Sequence, residues 1–140
     1  MDKTKKIKIF DNVGFYLLLG IILAILVARG YVYFGGDLGL GYDGITFHHI
    51  FLGIILVLLS GITFFSFNSF LSKRKQAMNL LAFIFGFGTG LITDETNFLV
   101  SAGEYYNLSN YYQPLNVYVD VIFIILTFSL FIYSIFRRNR

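Results

Sequence analysis

The chain reads as four long apolar runs separated by short polar segments. The runs extend from Val13 to Phe34, Thr46 to Phe67, Ala77 to Phe98 and Leu115 to Phe136. Each holds about 20 residues, enough to cross a hydrocarbon core of ~30 Å at ~1.5 Å per residue. None alternates polar and apolar positions over ~10 residues, as the strands of a membrane β-barrel do. The pattern predicts an all-α fold, a four-transmembrane-helix bundle that forms a single integral membrane domain over residues 1–140. Pro114 fits the first turn of the last helix, where a missing N–H costs nothing. The glycines at 35, 36, 39, 41 and 44 make the first connection rich in turn residues.

Composition changes the picture only by naming the solvent. Hydrophobic residues make up 56% of the chain and charged residues 14%, against about 25% charged in a soluble domain. Mean hydropathy is +0.71. A soluble fold of 140 residues lacks the interior to hide that much apolar surface, so the expected partner is the lipid bilayer. Cysteine is absent, which excludes disulfides, thiolate metal sites and cysteine nucleophiles.

Charge supplies the orientation. Lys3, Lys5, Lys6 and Lys8 precede the first run, Lys73, Arg74 and Lys75 lie between the second and third, and Arg137, Arg138 and Arg140 follow the fourth. Ten of eleven basic residues thus fall on one side, expected to be the cytoplasm, with both termini there and the chain multi-pass in the cell membrane. Topology accounts for these basic runs without nucleic acid. The lysines ahead of the first run also suit a signal peptide. The run is long for one and Arg29 sits where cleavage would fall, so an uncleaved helix is expected. Six of the eight acids, both histidines and most tyrosines fall on the opposite, outer side. Tyr31, Tyr33, Tyr42, Tyr105, Tyr106, Tyr111 and Tyr112 suit an interfacial belt there. Asn107-Leu108-Ser109 is a formal glycosylation sequon whose use depends on the host.

All four predicted helices bring ionisable groups to that outer leaflet. Arg29 lies near the outer end of the first, His48 and His49 open the second, and Asp94 and Glu95 lie near the end of the third. Asp120 lies ~9 Å along the fourth from Pro114, at ~1.5 Å per residue. Such groups are costly in lipid and usually face the bundle interior or a wet cavity. Helical spacing puts His49 with Gly53 and Ser60 on a small, polar face, so His49 is expected inward. His48 shares an apolar face with Leu52, Ile55 and Leu59 and is expected to reach the headgroups. Gly86 and Gly90 form a G-x-x-x-G whose stripe continues to Asp94, a spacing that lets helix backbones approach closely. Glu95 is then turned ~100° away. Asp120 shares its stripe with Asn116 and Thr127.

Imidazole and carboxylate together suit a divalent metal such as Zn²⁺, Mn²⁺ or Fe²⁺. The expected ligands are His49, Asp94 and Asp120, with His48 and Glu95 beside them and Arg29 and Glu104 as further polar neighbours. A metal there would lower the pKa of a bound water and make a hydrolytic nucleophile. Two other readings stand beside this one. The cluster suits a structural or accessory membrane subunit, in which Arg29 pairs with Asp94 or Asp120 and fixes helix register. It also suits a component of a proton or ion pathway, although the inner halves offer hydroxyls and amides and no ionisable relay. Assembly as a homo-oligomer or with a membrane partner subunit fits each reading. No H-E-x-x-H, Walker A, G-x-S-x-G or dinucleotide-binding motif is present, and whether the chain is an enzyme stays open.

The order His48-His49-x-x-x-Gly53, Gly86-x-Gly88, Asp94-Glu95 and Val119-Asp120 resembles a group of small four-helix membrane proteins of archaea and actinobacteria. That group shows a paired histidine followed by glycine, a glycine-rich third helix ending in Asp-Glu, and a Val-Asp start to the last helix. The resemblance covers residues from about 46 to 122, and Glu104-Tyr105-Tyr106 corresponds to an acidic, aromatic segment after the Asp-Glu. Thr96-Asn97 stands where that group carries an apolar pair, and the outer loop is longer. The resemblance implies that the matched residues form one set and supplies no activity.

Overall fold

The computed structural model describes residues 12–34, 39–42, 45–100 and 113–139. Helix α1 runs Val13–Tyr33, followed by strands β1 (Gly39–Tyr42) and β2 (Ile45–His48), then helices α2 (His49–Leu71) and α3 (Lys75–Asp94). A short helix α4 (Thr96–Val100) leads toward α5 (Pro114–Asn139). Four of these helices are long and apolar enough to cross a membrane. The chain is a multi-pass membrane protein whose exposed leucines, isoleucines and phenylalanines meet lipid.

Helix α3 is the hub, packing against α1, α2 and α5, while α2 packs chiefly on α3. Glycine makes this possible. A Cβ on Gly86 would strike the backbone carbonyl of Leu17, and one on Gly90 would lie 2.6 Å from the Ile21 carbonyl oxygen. One on Gly20, from the facing helix, would strike the carbonyl of Phe83. One side of α3 therefore meets α1 backbone to backbone. On the other side, a Cβ on Gly88 would lie 2.8 Å from the Gly53 carbonyl oxygen, and one on Gly53 would lie 2.7 Å from that of Gly88. Lipid offers no hydrophobic drive between helices, so dispersion at such close approach carries the packing. Asn12 caps α1 by accepting the Gly14 N–H at 2.8 Å, and its Nδ2 donates to Ser134 Oγ at 2.7 Å. That contact ties the start of α1 to the end of α5.

The structure moves several expected boundaries. Thr46–His48 were expected in the second helix but belong to β2. There they pair antiparallel with β1, Gly39 opposite His48 and Tyr42 opposite Ile45. Ladder bonds satisfy the backbone where a free segment would depend on water. Asp43-Gly44 between two short runs is the sequence signal for such a hairpin. Helix α2 bends at Phe67 (φ −122°, ψ 20°) and continues to Leu71. Helix α3 begins at Lys75 rather than Ala77. It stops at Asp94 rather than Phe98, because Glu95 leaves helical geometry (φ −111°, ψ 28°). Pro114 is the first residue of α5.

The glycine contacts generate a paired prediction. Gly86→Ala forces α1 and α3 apart and destabilises the protein by about 1–3 kcal/mol. Gly61 has nothing within 4 Å of a built Cβ, so Gly61→Ala is neutral or stabilises by up to ~1 kcal/mol. Thermal unfolding of the two variants in one detergent checks the contrast.

Candidate functional site

The end of α1, the start of α2, the end of α3 and the first turns of α5 meet at one end of the bundle. Arg29 is the centre. Its Nε lies 2.7 Å from Asp94 Oδ1, and its Nη2 donates to Asp120 Oδ2 at 2.8 Å. One guanidinium thus ties α1 to α3 by a close ion pair and to α5 by a short, charge-assisted hydrogen bond. Asp94 is fully buried and Asp120 nearly so, while a quarter of the Arg29 side chain remains exposed.

Helical spacing explains the geometry. Asp94 continues the stripe of Gly86 and Gly90, so the close approach of α1 at those glycines delivers Arg29 to it. On α5, Asn116, Asp120 and Thr127 are all buried along one face. Arg29 therefore turns inward onto two carboxylates rather than snorkelling to the interface.

Glu95 builds a second group. Its Oε2 accepts the backbone N–H of Ile50 at 3.0 Å, and its Oε1 lies 3.0 Å from His48 Nδ1. In this contact a carboxylate oxygen accepts and a protonated Nδ1 donates. His48 is the N-cap residue of α2 and makes no side-chain cap bond. Glu95, from the end of α3, does that work instead, placing negative charge where the helix dipole favours it. His49 lies between the two groups, with Nε2 3.4 Å from Asp94 Oδ2 and Nδ1 3.7 Å from Glu95 Oε1.

Several expected positions are corrected. His48 was expected among the headgroups, but it faces Glu95, because the hairpin brings it in as a strand residue. Glu95, expected to turn away from the packed face, is fully buried against the start of α2. Arg29, expected as a peripheral polar neighbour, is central. Glu104 and the sequon at Asn107 lie outside the described residues. Thr93 was missed: it is buried, and its side chain neighbours the Asp120 carboxylate. A threonine in the last turn of a helix gives little signal in sequence, because its hydroxyl usually bonds its own helix. Thr93 Oγ1 does donate to Gly90 O at 3.1 Å.

Among the described residues, no three His, Asp or Glu side chains are placed to hold a metal ion. The expected convergence of His49, Asp94 and Asp120, with His48 and Glu95, on one ion is not what the structure builds. The physical reason is Arg29, whose cation stands between Asp94 and Asp120, while Glu95 is engaged by His48 and the Ile50 N–H. Comparison with known protein families, curated proteins and solved structures finds no match for this chain.

The Glu95 bonds set a prediction. Glu95→Ala leaves the buried Ile50 N–H without its acceptor and removes the His48 contact, costing about 1–3 kcal/mol. Glu95→Gln keeps an acceptor for Ile50 and costs less. Amide exchange at Ile50 reads the difference directly: it accelerates strongly in the alanine variant and modestly in the glutamine variant.

Proposed function

We propose that this chain is a structural or accessory membrane subunit, in which the ionisable cluster is a buried charge network that locks the helices in register. The observation that carries this reading is the single Arg29 guanidinium shared by Asp94 and Asp120 at 2.7 and 2.8 Å. Such a triad gives three helices one set of mutual positions. A side chain placed to act on a substrate would keep its reactive atoms open, whereas these are turned on one another. The resemblance to the small four-helix membrane proteins of archaea and actinobacteria agrees, since it treats His48, His49, Asp94, Glu95 and Asp120 as one set. A transmembrane proton or ion pathway receives less support. Beyond the cluster, Ser60 and Thr63 donate to carbonyls of their own helix, at 2.5 Å to Leu56 and 2.7 Å to Leu59. The distribution of the basic segments supports an orientation with both termini in the cytoplasm and the cluster in the outer leaflet of the cell membrane.

The network reading is tested by comparing single and multiple neutralisation. Arg29→Met alone leaves two buried carboxylates uncompensated and destabilises by about 3–5 kcal/mol. Adding Asp94→Asn and Asp120→Asn removes the charges and restores most of that loss. Equilibrium unfolding in lipid–detergent mixtures measures both. Arg29→Met with wild-type stability would defeat the reading. Metal analysis of the purified protein checks the discarded one: stoichiometric transition metal, lost on His49→Ala, would reinstate a metal centre.

A further inference from the structure

The end of the bundle opposite the Arg29 cluster carries a different chemistry. Helix α2 ends at Leu71 and α3 begins at Lys75, so Ser72, Lys73 and Arg74 turn the chain between two spans. Three consecutive basic residues, Lys73, Arg74 and Lys75, are therefore held where hydrocarbon gives way to lipid headgroups. All three are exposed, as is Gln76. No acid occurs in the sequence between Asp43 and Asp94. Like charges this close repel one another, and an anion among them relieves that repulsion.

Arg74 is held in place by an aromatic ring. Its Cζ lies 4.5 Å from the centre of the Phe70 ring, near the end of α2. The ring attracts the cation without taking up its N–H donors as a carboxylate would. Among the described residues Arg74 makes no ion pair. Beside it, an open cavity of about 350 Å³ is lined by Arg74, Lys75, Gln76 and Ala77. That volume falls within the ~300–1,000 Å³ of small-molecule sites. Both basic side chains on its wall only donate, and the Gln76 amide adds further N–H groups. Such a wall fits an oxyanion, and a guanidinium meets two phosphate oxygens at once. On the membrane side of the turn, Phe67 and Phe70 of α2 and Leu80 of α3 are each more than half exposed. A phosphate tied to acyl chains suits both halves of this surface, whereas free phosphate uses only the first.

We propose that the α2–α3 turn binds an anionic phospholipid, with its phosphate in the cavity on Arg74 and Lys75 and its chains along Phe67 and Phe70. The site stands apart from the charge network at the other end and does not depend on it. A zwitterionic lipid brings its own cationic group, which the basic turn repels, so the site selects lipids of net negative charge. Each basic residue beside an anionic membrane surface is worth about a fivefold preference.

The test incubates the full chain, in neutral detergent, with equal amounts of phosphatidylglycerol and phosphatidylcholine of the same acyl chains. After gel filtration, mass spectrometry of the retained lipid gives the enrichment. At least about fivefold enrichment of phosphatidylglycerol over phosphatidylcholine is expected. Arg74→Gln combined with Lys75→Gln abolishes it. Arg137→Gln combined with Arg138→Gln changes the net charge equally and keeps it. Absence of enrichment overturns the proposal, as does equal loss in the two paired variants, which assigns the preference to diffuse charge. Excess inorganic phosphate, at an ionic strength matched with chloride, leaves the lipid bound. Displacement of the lipid by phosphate overturns the proposal in favour of a simple anion site. Should the first paired variant fail to fold by circular dichroism, Ala77→Phe is the second variant. It fills the cavity, keeps every charge and lowers the enrichment, and an unchanged enrichment overturns the proposal.

Discussion

A guanidinium inside a helix bundle in lipid has to find its counter-charges within the protein, because hydrocarbon offers none. Arg29 finds two, on different helices, and the placement of everything nearby follows from that need. Helix α1 must lie where Arg29 reaches Asp94, and α5 must present Asp120 to the same cation. Breaking such a triad at one member strands the others. The arrangement acts less as a source of net stability than as a selector of one packing among many of similar dispersion energy.

The glycines make the triad reachable. Side chains at Gly20, Gly86 or Gly90 would hold α1 away from α3, and the guanidinium would no longer sit at bonding distance. Packing and electrostatics here are two statements of one constraint. The same stripe that lets the backbones touch ends in the carboxylate that the approaching helix must neutralise. On the far side of α3 the scheme repeats in weaker form. Gly53 meets Gly88, and at the end of that face Glu95 meets the first turn of α2.

Much of this was legible from residue order alone, because lipid as solvent imposes long apolar runs. Four spans, their approximate limits and the gathering of Arg29, the histidines and the acids at one end all follow from hydropathy and spacing. What the cluster does with its charges was less legible. Periodicity places Asp94 on the packed face but does not say whether a metal or Arg29 will meet it there. Glu95 escaped because helical periodicity was carried past the point where the helix stops. A residue that ends a helix obeys its own φ and ψ, so its face cannot be read from the stripe before it. His48 escaped for the matching reason at the other side: a two-stranded hairpin set its direction, and the runs that form it are too short to register as strands beside an apolar helix.

Glu95 also bears on the order in which the chain is assembled. Helix α2 precedes it in the sequence, so α2 is made first and crosses the bilayer with the N–H of Ile50 still lacking its carboxylate partner. Only when α3 has come back across the membrane and turned at Glu95 is that first turn completed. The first turn of α2 thus takes its closing hydrogen bond from a residue made after it, on the helix that returns across the membrane.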